Sequence, residues 1–166
     1  MGEPVEIVDY DPAWPEAARA EAALIGPALA ALAVEHVGST AMPGLAAKPI
    51  LDLLVGVADL DSVEGRVPAM EDLGYEYRGP NGIQERRYFV KGRPRTHHVH
   101  VTLHGSEWWL QHVTFRDRLR AHPAEADAYE ALKRELATRY RDDRLGYTEA
   151  KTEFIEAALA RALESR

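Results

Sequence analysis

The sequence contains no cysteine. Disulfides, thiolate metal sites and a cysteine nucleophile are therefore excluded. None of its 166 residues belongs to an apolar run that approaches the roughly 20 residues needed to cross a membrane. The opening residues, Met1-Gly2-Glu3, do not begin a basic and apolar leader. These absences predict a cytoplasmic protein that has no membrane partner.

An excess of positive charge is also lacking. Twenty Lys and Arg residues face 27 Asp and Glu residues, which gives a formal net charge of −7. General nucleic-acid binding needs clustered basic residues that displace counterions, so we do not expect it here. Because 46% of the residues are hydrophobic and 8% are aromatic, a disordered chain is excluded as well. The length fits one domain, and we predict that residues 1–166 form it.

The order of hydrophobic segments predicts an α+β (α/β-like) fold. A mixed sheet should occupy about residues 1–104, and a helical tail about 105–166. A helix should begin near Trp14 and stop or bend at Pro27, and Thr148 should cap the last helix. The other predicted helices are 61–73, 106–121 and one that begins at Pro123, and the predicted strands are 5–8, 34–37, 50–57, 75–78, 86–91 and 97–103.

Two features near the first strands could bind phosphate or metal. Gly38-Ser39 follows a predicted strand, where backbone amides and a hydroxyl could hold phosphate oxygens. The same residues also fit a tight turn that requires glycine. Asp52 lies within the apolar strand 50–57, so its carboxylate must be paired with a cation, accept hydrogen bonds or bind a metal ion.

A histidine strand and a basic tail complete the candidates. Alternation along residues 97–103 places His98 and His100 on one face, where they could share a metal ion or form a surface pair without a ligand. In the tail, Arg116 and Lys151 could meet phosphate charge, or they could be solvated or paired with acidic side chains. The motifs of P-loop kinases, dinucleotide dehydrogenases, zincins and standard α/β-hydrolases are missing.

Together these segments resemble the GrpB family. The resemblance is carried by the stretch EHVGSTAMPGLAAKPILD, residues 35–52, and by shorter matches along nearly the whole chain: YDPAWP at 10–15, LGY at 73–75, HVHV at 98–101, FRDRLR at 115–120, Lys133 and YTEAK at 147–151. It implies a nucleotidyltransferase-like fold. Some members of that family are fused to dephospho-CoA kinase, and this sequence contains no kinase domain.

The resemblance also implies a phosphate- and metal-binding site, from whose usual pattern this sequence departs at two positions. The wider superfamily uses a Gly-Ser pair to contact nucleotide phosphate and three carboxylates to bind two metal ions. Gly38, Ser39 and Asp52 match that pattern, but Leu54 stands where the second carboxylate is expected. Two histidines, His98 and His100, stand where the third is sought. One carboxylate with two imidazoles suits zinc, manganese, iron or nickel better than magnesium.

The resulting prediction is metal-assisted transfer of a nucleotidyl or phosphoryl group from a nucleoside triphosphate to an unknown small molecule. Ser39 and Asp52 are the predicted catalytic residues. The predicted substrate ligands are Gly38, Ser39, Lys48, Arg116 and Lys151, and the predicted ligands of a Mg, Mn or Zn ion are Asp52, His98 and His100. Two alternatives remain open: a binding module for a nucleotide or another anion with a degenerate active site, and a metal-dependent phosphoester hydrolase.

Overall fold

The structure is a computed structural model that describes residues 6–164, with side chains at every one of these positions except 144, 163 and 164. Two 3-10 segments, 39–41 and 60–66, accompany five strands and five helices. In chain order these are α1 (Trp14–Leu29), β1 (Ala33–Val37), β2 (Leu51–Val57), α2 (Val67–Asp72), β3 (Glu76–Tyr77), β4 (Arg87–Lys91), β5 (His97–Leu103), α3 (Glu107–Ala121), α4 (Pro123–Arg139) and α5 (Arg144–Glu164).

The strands form one mixed sheet in the order β1-β2-β5-β4-β3, which confirms the predicted fold class. β2 pairs antiparallel with β1 and parallel with β5, and β4 pairs antiparallel with both β5 and β3. The register sets Asp52 beside His98, and His100 beside both Leu54 and Tyr88. Since alternate residues of a strand share a face, these five side chains lie on the same side of the sheet.

The opposite face of the sheet forms the main core. Apolar residues of β2, β4 and β5 pack there against α1, the 60–66 segment and α2. The central members are Leu53, Val55, Val57, Phe89, Val99 and Val101 from the strands, with Ile25, Leu29, Val63 and Met70 from the helices. Because β2 is covered on both faces, its sequence is almost continuously apolar, as predicted.

α3 covers one end of β2 on the face that carries Asp52. Trp109 packs on Leu54 and Val37. A Cβ added at Gly56 would lie 2.9 Å from atoms of Trp109 and His104, so the close approach of α3 requires glycine at that position. α3 therefore seals the Leu54 end of the strand, and the space above the Asp52 end is left between the sheet and the helical tail.

Three predicted helices differ in detail from the observed ones. Pro27 lies inside the last turn of α1, where the loss of one intrahelical hydrogen bond is tolerated, and the helix ends past it at Leu29. The helix predicted over 61–73 is a 3-10 segment followed by α2. The prediction that Thr148 caps the last helix is wrong, because α5 begins at Arg144 and the Asp143 carboxylate accepts the backbone N–H of Gly146.

Two predicted strands are shorter in the structure. The strand expected at 75–78 consists of Glu76 and Tyr77, between two glycines with positive φ. Of the strand expected at 5–8, the described part forms an isolated bridge between Val8 and Ala47, and Val5 lies outside the described residues. No helix of the described chain combines the length and the apolar content needed to span a bilayer.

A buried lysine attaches the helical tail to the loop before β2. Lys133 of α4 is 1% exposed, and its Nζ donates a hydrogen bond of 2.6 Å to the carbonyl oxygen of Ala46. Burial, with a further contribution from Lys151, lowers the pKa of Lys133 to about 7. In the unfolded chain the same amine stays protonated to about pH 10.4, so the unfolded state binds more protons than the folded state above pH 7.

Stability should therefore rise as the pH increases from 7 towards 9. For the wild-type chain we expect the free energy of unfolding, measured in urea, to increase by about 2 kcal/mol over this interval. Lys133→Met should lose the increase, because methionine has no proton to release. Arg139→Gln, at an exposed position of the same helix, should keep it. If the unfolding free energies of the wild type and Lys133→Met depend on pH in the same way, the amine of Lys133 does not lose its proton in the folded state, and the prediction is wrong.

Candidate functional site

A glycine turn at the end of β1 lies directly against Asp52. Gly38 has a φ of +74°, in the region that favours glycine. A Cβ added there would lie 2.6 Å from Oδ2 of Asp52. Glycine is therefore needed at this position both for the positive φ of the turn and for the close approach of the Asp52 carboxylate. The structure brings the predicted Gly38 and Asp52 into one site.

Hydrogen bonds hold the turn that carries Ser39. The Thr40 hydroxyl donates to the carbonyl oxygen of Ile50 at 3.3 Å, and it lies 2.9 Å from Nε2 of His36. Because a hydroxyl has one hydrogen to give, Nε2 of His36 must be the donor in that second bond. Burial lowers the pKa of His36 to about 4, so the ring is neutral at pH 7. This chain of bonds joins the end of β1 to the start of β2.

Ser39 reaches across to the helical tail. Its side chain lies beside the phenol of Tyr129 in α4. Burial, assisted by the nearby Asp52, raises the pKa of Tyr129 to about 12, although the Ser39 hydroxyl acts in the opposite direction. The phenol is therefore protonated at neutral pH, and Ser39, Asp52 and Tyr129 meet at one position between the sheet and the tail.

Asp52, His98 and His100 form a compact cluster on the second face of the sheet. Oδ1 of Asp52 lies 3.4 Å from Nδ1 of His98 and 3.2 Å from Nε2 of His100. One carboxylate oxygen and one ring nitrogen from each histidine all lie within 4.8 Å of one another. The predicted alternation along β5, which puts both histidines on one side, is thus present in the structure.

The charges of this cluster follow from its burial. Burial alone would raise the pKa of Asp52, but hydrogen bonds from His100 and His98 outweigh it and hold the pKa well below its usual range. Burial also lowers the pKa of His100, and the attraction of Asp52 does not reverse this shift. Near pH 7 the cluster therefore pairs an ionised carboxylate with a neutral His100.

The cluster lies in the wall of a cavity of about 800 Å³ between the sheet, α3 and α5. Positive side chains outnumber negative ones in the described lining, in contrast to the acidic chain as a whole. The Lys and Arg residues are Lys48, Arg86, Arg95 and Lys151, and the acidic residues are Asp52 and Glu156. A cavity with this balance favours an anionic ligand.

The predicted ligands Lys48 and Lys151 lie against the same aromatic ring. Each Nζ is 4.8 Å from the centre of the Tyr147 ring. Tyr147 is fully buried, and its hydroxyl has no hydrogen-bond partner within the described part of the chain. Two ammonium groups and an unsatisfied phenol therefore meet at one wall of the cavity, where they could bind the oxygen atoms of an anion.

Arg116 is the predicted substrate ligand that the structure leaves outside the cavity lining. Its Nη1 donates to Glu35 at 2.8 Å and to the carbonyl oxygen of His36 at 3.2 Å, and its Nε donates to Asp117. These bonds attach α3 to β1. The substrate-binding role of Arg116 stays a prediction, and the position of its guanidinium indicates a structural use.

Sequence reasoning missed Arg86. This arginine precedes β4, lines the cavity and lies 4.4 Å from the centre of the Tyr88 ring. Its Nη1 is 3.3 Å from Nδ1 of His100. A signal was available, because Arg86 and Tyr88 alternate in the strand predicted over 86–91 and would share the face of His100 if that strand paired with β5.

Comparison with known proteins identifies the family. The family model described as "GrpB protein" matches residues 4–161. The chain belongs to the GrpB family. A crystal structure of conserved protein GrpB from Enterococcus faecalis has a TM-score of 0.90 and 40% identity, and the match covers 96% of this chain and 98% of that one. The predicted family and fold are thereby confirmed.

Other GrpB relatives differ in length. UPF0157 protein PA4798 from Pseudomonas aeruginosa is 45% identical over 167 residues, which cover 96% of this chain and 68% of that protein. UPF0157 protein YqkA from Bacillus subtilis is 41% identical, and the match covers 93% of this chain and 46% of that protein. A more distant match, a dephospho-CoA kinase from Mycolicibacterium paratuberculosis, is 28% identical over 187 residues, which cover 96% of this chain and 46% of the kinase.

The position of the expected second carboxylate is closed in this GrpB chain. Leu54 is fully buried and packs with Val37 and Trp109. An ionised acid at that position would be packed against the indole of Trp109 and lose its hydration, which is costly in free energy. The described residues that could share a metal ion with Asp52 are His98 and His100. Leucine in place of the expected second carboxylate is thus consistent with the packing of α3 on this strand.

The contact between Gly38 and Asp52 can be tested by a matched pair of variants. Gly38→Ala should lower the free energy of unfolding by more than the roughly 1–3 kcal/mol of a strained positive φ, because its Cβ also displaces the carboxylate. Gly44→Ala is the control, since Gly44 has a φ of +77° and an added Cβ would meet nothing within 4 Å. Urea unfolding of both variants provides the measurement. If the two variants lose the same stability, a Cβ at position 38 does not displace the Asp52 carboxylate, and the prediction is wrong.

Proposed function

We propose that this GrpB chain binds a phosphorylated small molecule, with nucleoside triphosphates as the first candidates, and transfers a nucleotidyl or phosphoryl group with the help of one divalent metal ion. The observation that carries the proposal is the meeting of Asp52, His98 and His100 in the wall of a cavity whose other charges are mainly positive. Such a site can bind a metal ion and the phosphate that it acts on together. We further propose that the protein works in the cytoplasm, where nucleoside triphosphates are available.

The donor set fits a single transition-metal ion. The separations of Asp52 Oδ1 from the ring nitrogens of His98 and His100 are 3.4 and 3.2 Å. One carboxylate and two imidazoles favour zinc or manganese over magnesium. When bound, the ion would supply Lewis-acid polarisation of a phosphoryl oxygen.

The side chains of the cavity account for the remaining requirements of phosphate chemistry. Lys48 and Lys151 neutralise phosphate charge beside the Tyr147 hydroxyl, which can donate a hydrogen bond. Ser39 offers a hydroxyl at the turn beside Asp52. The positive lining also restricts the acceptor, because a polycationic acceptor would be repelled. A neutral or anionic acceptor is therefore favoured.

A second candidate function follows from Leu54. That side chain is packed under Trp109, so position 54 supplies no carboxylate for a second metal ion beside Asp52. A non-catalytic module that binds nucleotides or other anions would keep the cavity without the transfer step. The same Asp-His-His cluster also supports a hydrolase, in which water takes the place of the acceptor.

Thermal unfolding with nucleoside triphosphates and with Mg²⁺, Mn²⁺ or Zn²⁺ tests the proposal. A ligand at about 100 times its Kd stabilises a protein by about 2.7 kcal/mol, which raises the Tm of a chain of this size by roughly 5–10 °C. We expect this shift for one nucleotide together with a metal ion, and we expect Asp52→Asn to lose it. Asp127→Asn, at an exposed position of α4, should retain the shift.

Product analysis then separates the candidate functions. Transfer predicts release of pyrophosphate or a nucleoside diphosphate that depends on an added acceptor, and hydrolysis predicts release that needs no acceptor. Binding without product, at any metal and acceptor combination, would identify a binding module. Absence of any thermal shift with both metals and nucleotides would overturn the proposal.

A further inference from the structure

Arg86 is a buried arginine held beside the candidate metal ligands. It is 8% exposed, and its Nη2 donates to the backbone carbonyl oxygens of Pro80 at 3.4 Å and Asn81 at 3.1 Å. Its Nη1 points to Nδ1 of His100 at a distance of 3.3 Å. The Nε–H of Arg86 is buried and has no hydrogen-bond partner in the described part of the chain. The guanidinium is thus fixed in place and still has one unused donor.

The contact with Arg86 determines where His100 carries its hydrogen. A guanidinium has only N–H donors, so Nδ1 of His100 must be the acceptor. A neutral imidazole has one hydrogen, which therefore lies on Nε2. That nitrogen is 3.2 Å from Oδ1 of Asp52 and donates to it. Arg86, His100 and Asp52 consequently form a directed chain of donors and acceptors.

This chain opposes the binding of a metal ion at His100. A metal ion needs the lone pair of Nε2, and the other nitrogen of a metal-bound histidine then donates its hydrogen to an acceptor. Arg86 offers a donor where an acceptor is needed. His98 is not restricted in this way, because its Nε2 is buried with no hydrogen-bond partner among the described residues and its Nδ1 lies 3.4 Å from Asp52. The two histidines are therefore unequal as ligands.

We propose that Arg86 couples the binding of an anionic group to the binding of a metal ion. This inference rests on the metal site of the proposed function. A phosphate oxyanion in the cavity provides an acceptor for Nη1 of Arg86. When Nη1 turns to the anion, Nδ1 of His100 is released and can carry the hydrogen, so Nε2 becomes free for the metal ion. Metal and phosphate then bind cooperatively, and neither binds well alone.

Coupling of this kind is reciprocal. The factor by which bound phosphate increases the affinity for the metal ion must equal the factor by which the bound metal ion increases the affinity for phosphate. Partners of metal-bound histidines typically change metal affinity by 10–100-fold. We therefore expect a coupling factor of about ten for the wild-type chain, measured in either direction.

The test is a titration with Co²⁺, followed by calorimetry and by the visible absorption of the bound ion, in the absence and presence of inorganic phosphate. For the wild type, phosphate should lower the apparent Kd of Co²⁺ about tenfold. Arg86→Gln should bind Co²⁺ about tenfold more tightly without phosphate, because an amide oxygen can accept from His100, and phosphate should then add nothing. Arg78→Gln, an exposed arginine in a surface pair with Glu76, should behave as the wild type and corrects for association of Co²⁺ with phosphate.

The outcomes distinguish this inference from the proposed function. If Asp52→Asn abolishes binding of Co²⁺ while Arg86→Gln leaves it unchanged, the metal site stands and the role of Arg86 is wrong. If neither the wild type nor Arg86→Gln binds Co²⁺, with or without phosphate, the proposed metal-assisted function fails as well. Should Arg86→Gln not fold, nitrogen NMR of the wild type decides the question. A hydrogen on Nε2 of His100 is expected, and a hydrogen on Nδ1 would overturn the inference.

Discussion

A carboxylate in the middle of an apolar strand has to be surrounded by hydrogen-bond donors, and Asp52 organises the site through this requirement. Its donors come from β5, which pairs in parallel with β2 and brings His98 and His100 to Oδ1. Its other oxygen lies against Gly38, where a side chain would collide with it. The register of the sheet, the turn after β1 and the charge of the cavity are all connected to this single group.

The features that the sequence predicts well are those set by local chemistry. The apolar run of β2 and the alternation of β5 indicate two strands, and the resemblance to the GrpB family groups the Asp and His residues on them, which meet in the structure. The GSTAMPGLAAKP loop, residues 38–49, indicates the turn beside Asp52. These residues could be found because periodicity and turn chemistry depend on near neighbours in the chain.

The features that it misses depend on distant contacts. Whether Arg116 points to the cavity or to Glu35 is decided by how α3 crosses β1, which no local pattern encodes. Arg86 becomes a neighbour of His100 through the antiparallel pairing of β4 with β5. The sequence offers both Asp143 and Thr148 as capping residues for α5, and in the structure Asp143 accepts the backbone N–H of Gly146.

The cavity has two walls of different origin. One consists of side chains on the sheet and the turn after β1, and it holds Asp52, His98 and His100. The other consists of α5 residues, among them Tyr147, Lys151, Ile155 and Leu159. Because the second wall comes from a separate stretch near the end of the chain, it can change in sequence while the first is preserved. The shape and charge of the cavity on that side can therefore vary without disturbing the Asp52 cluster.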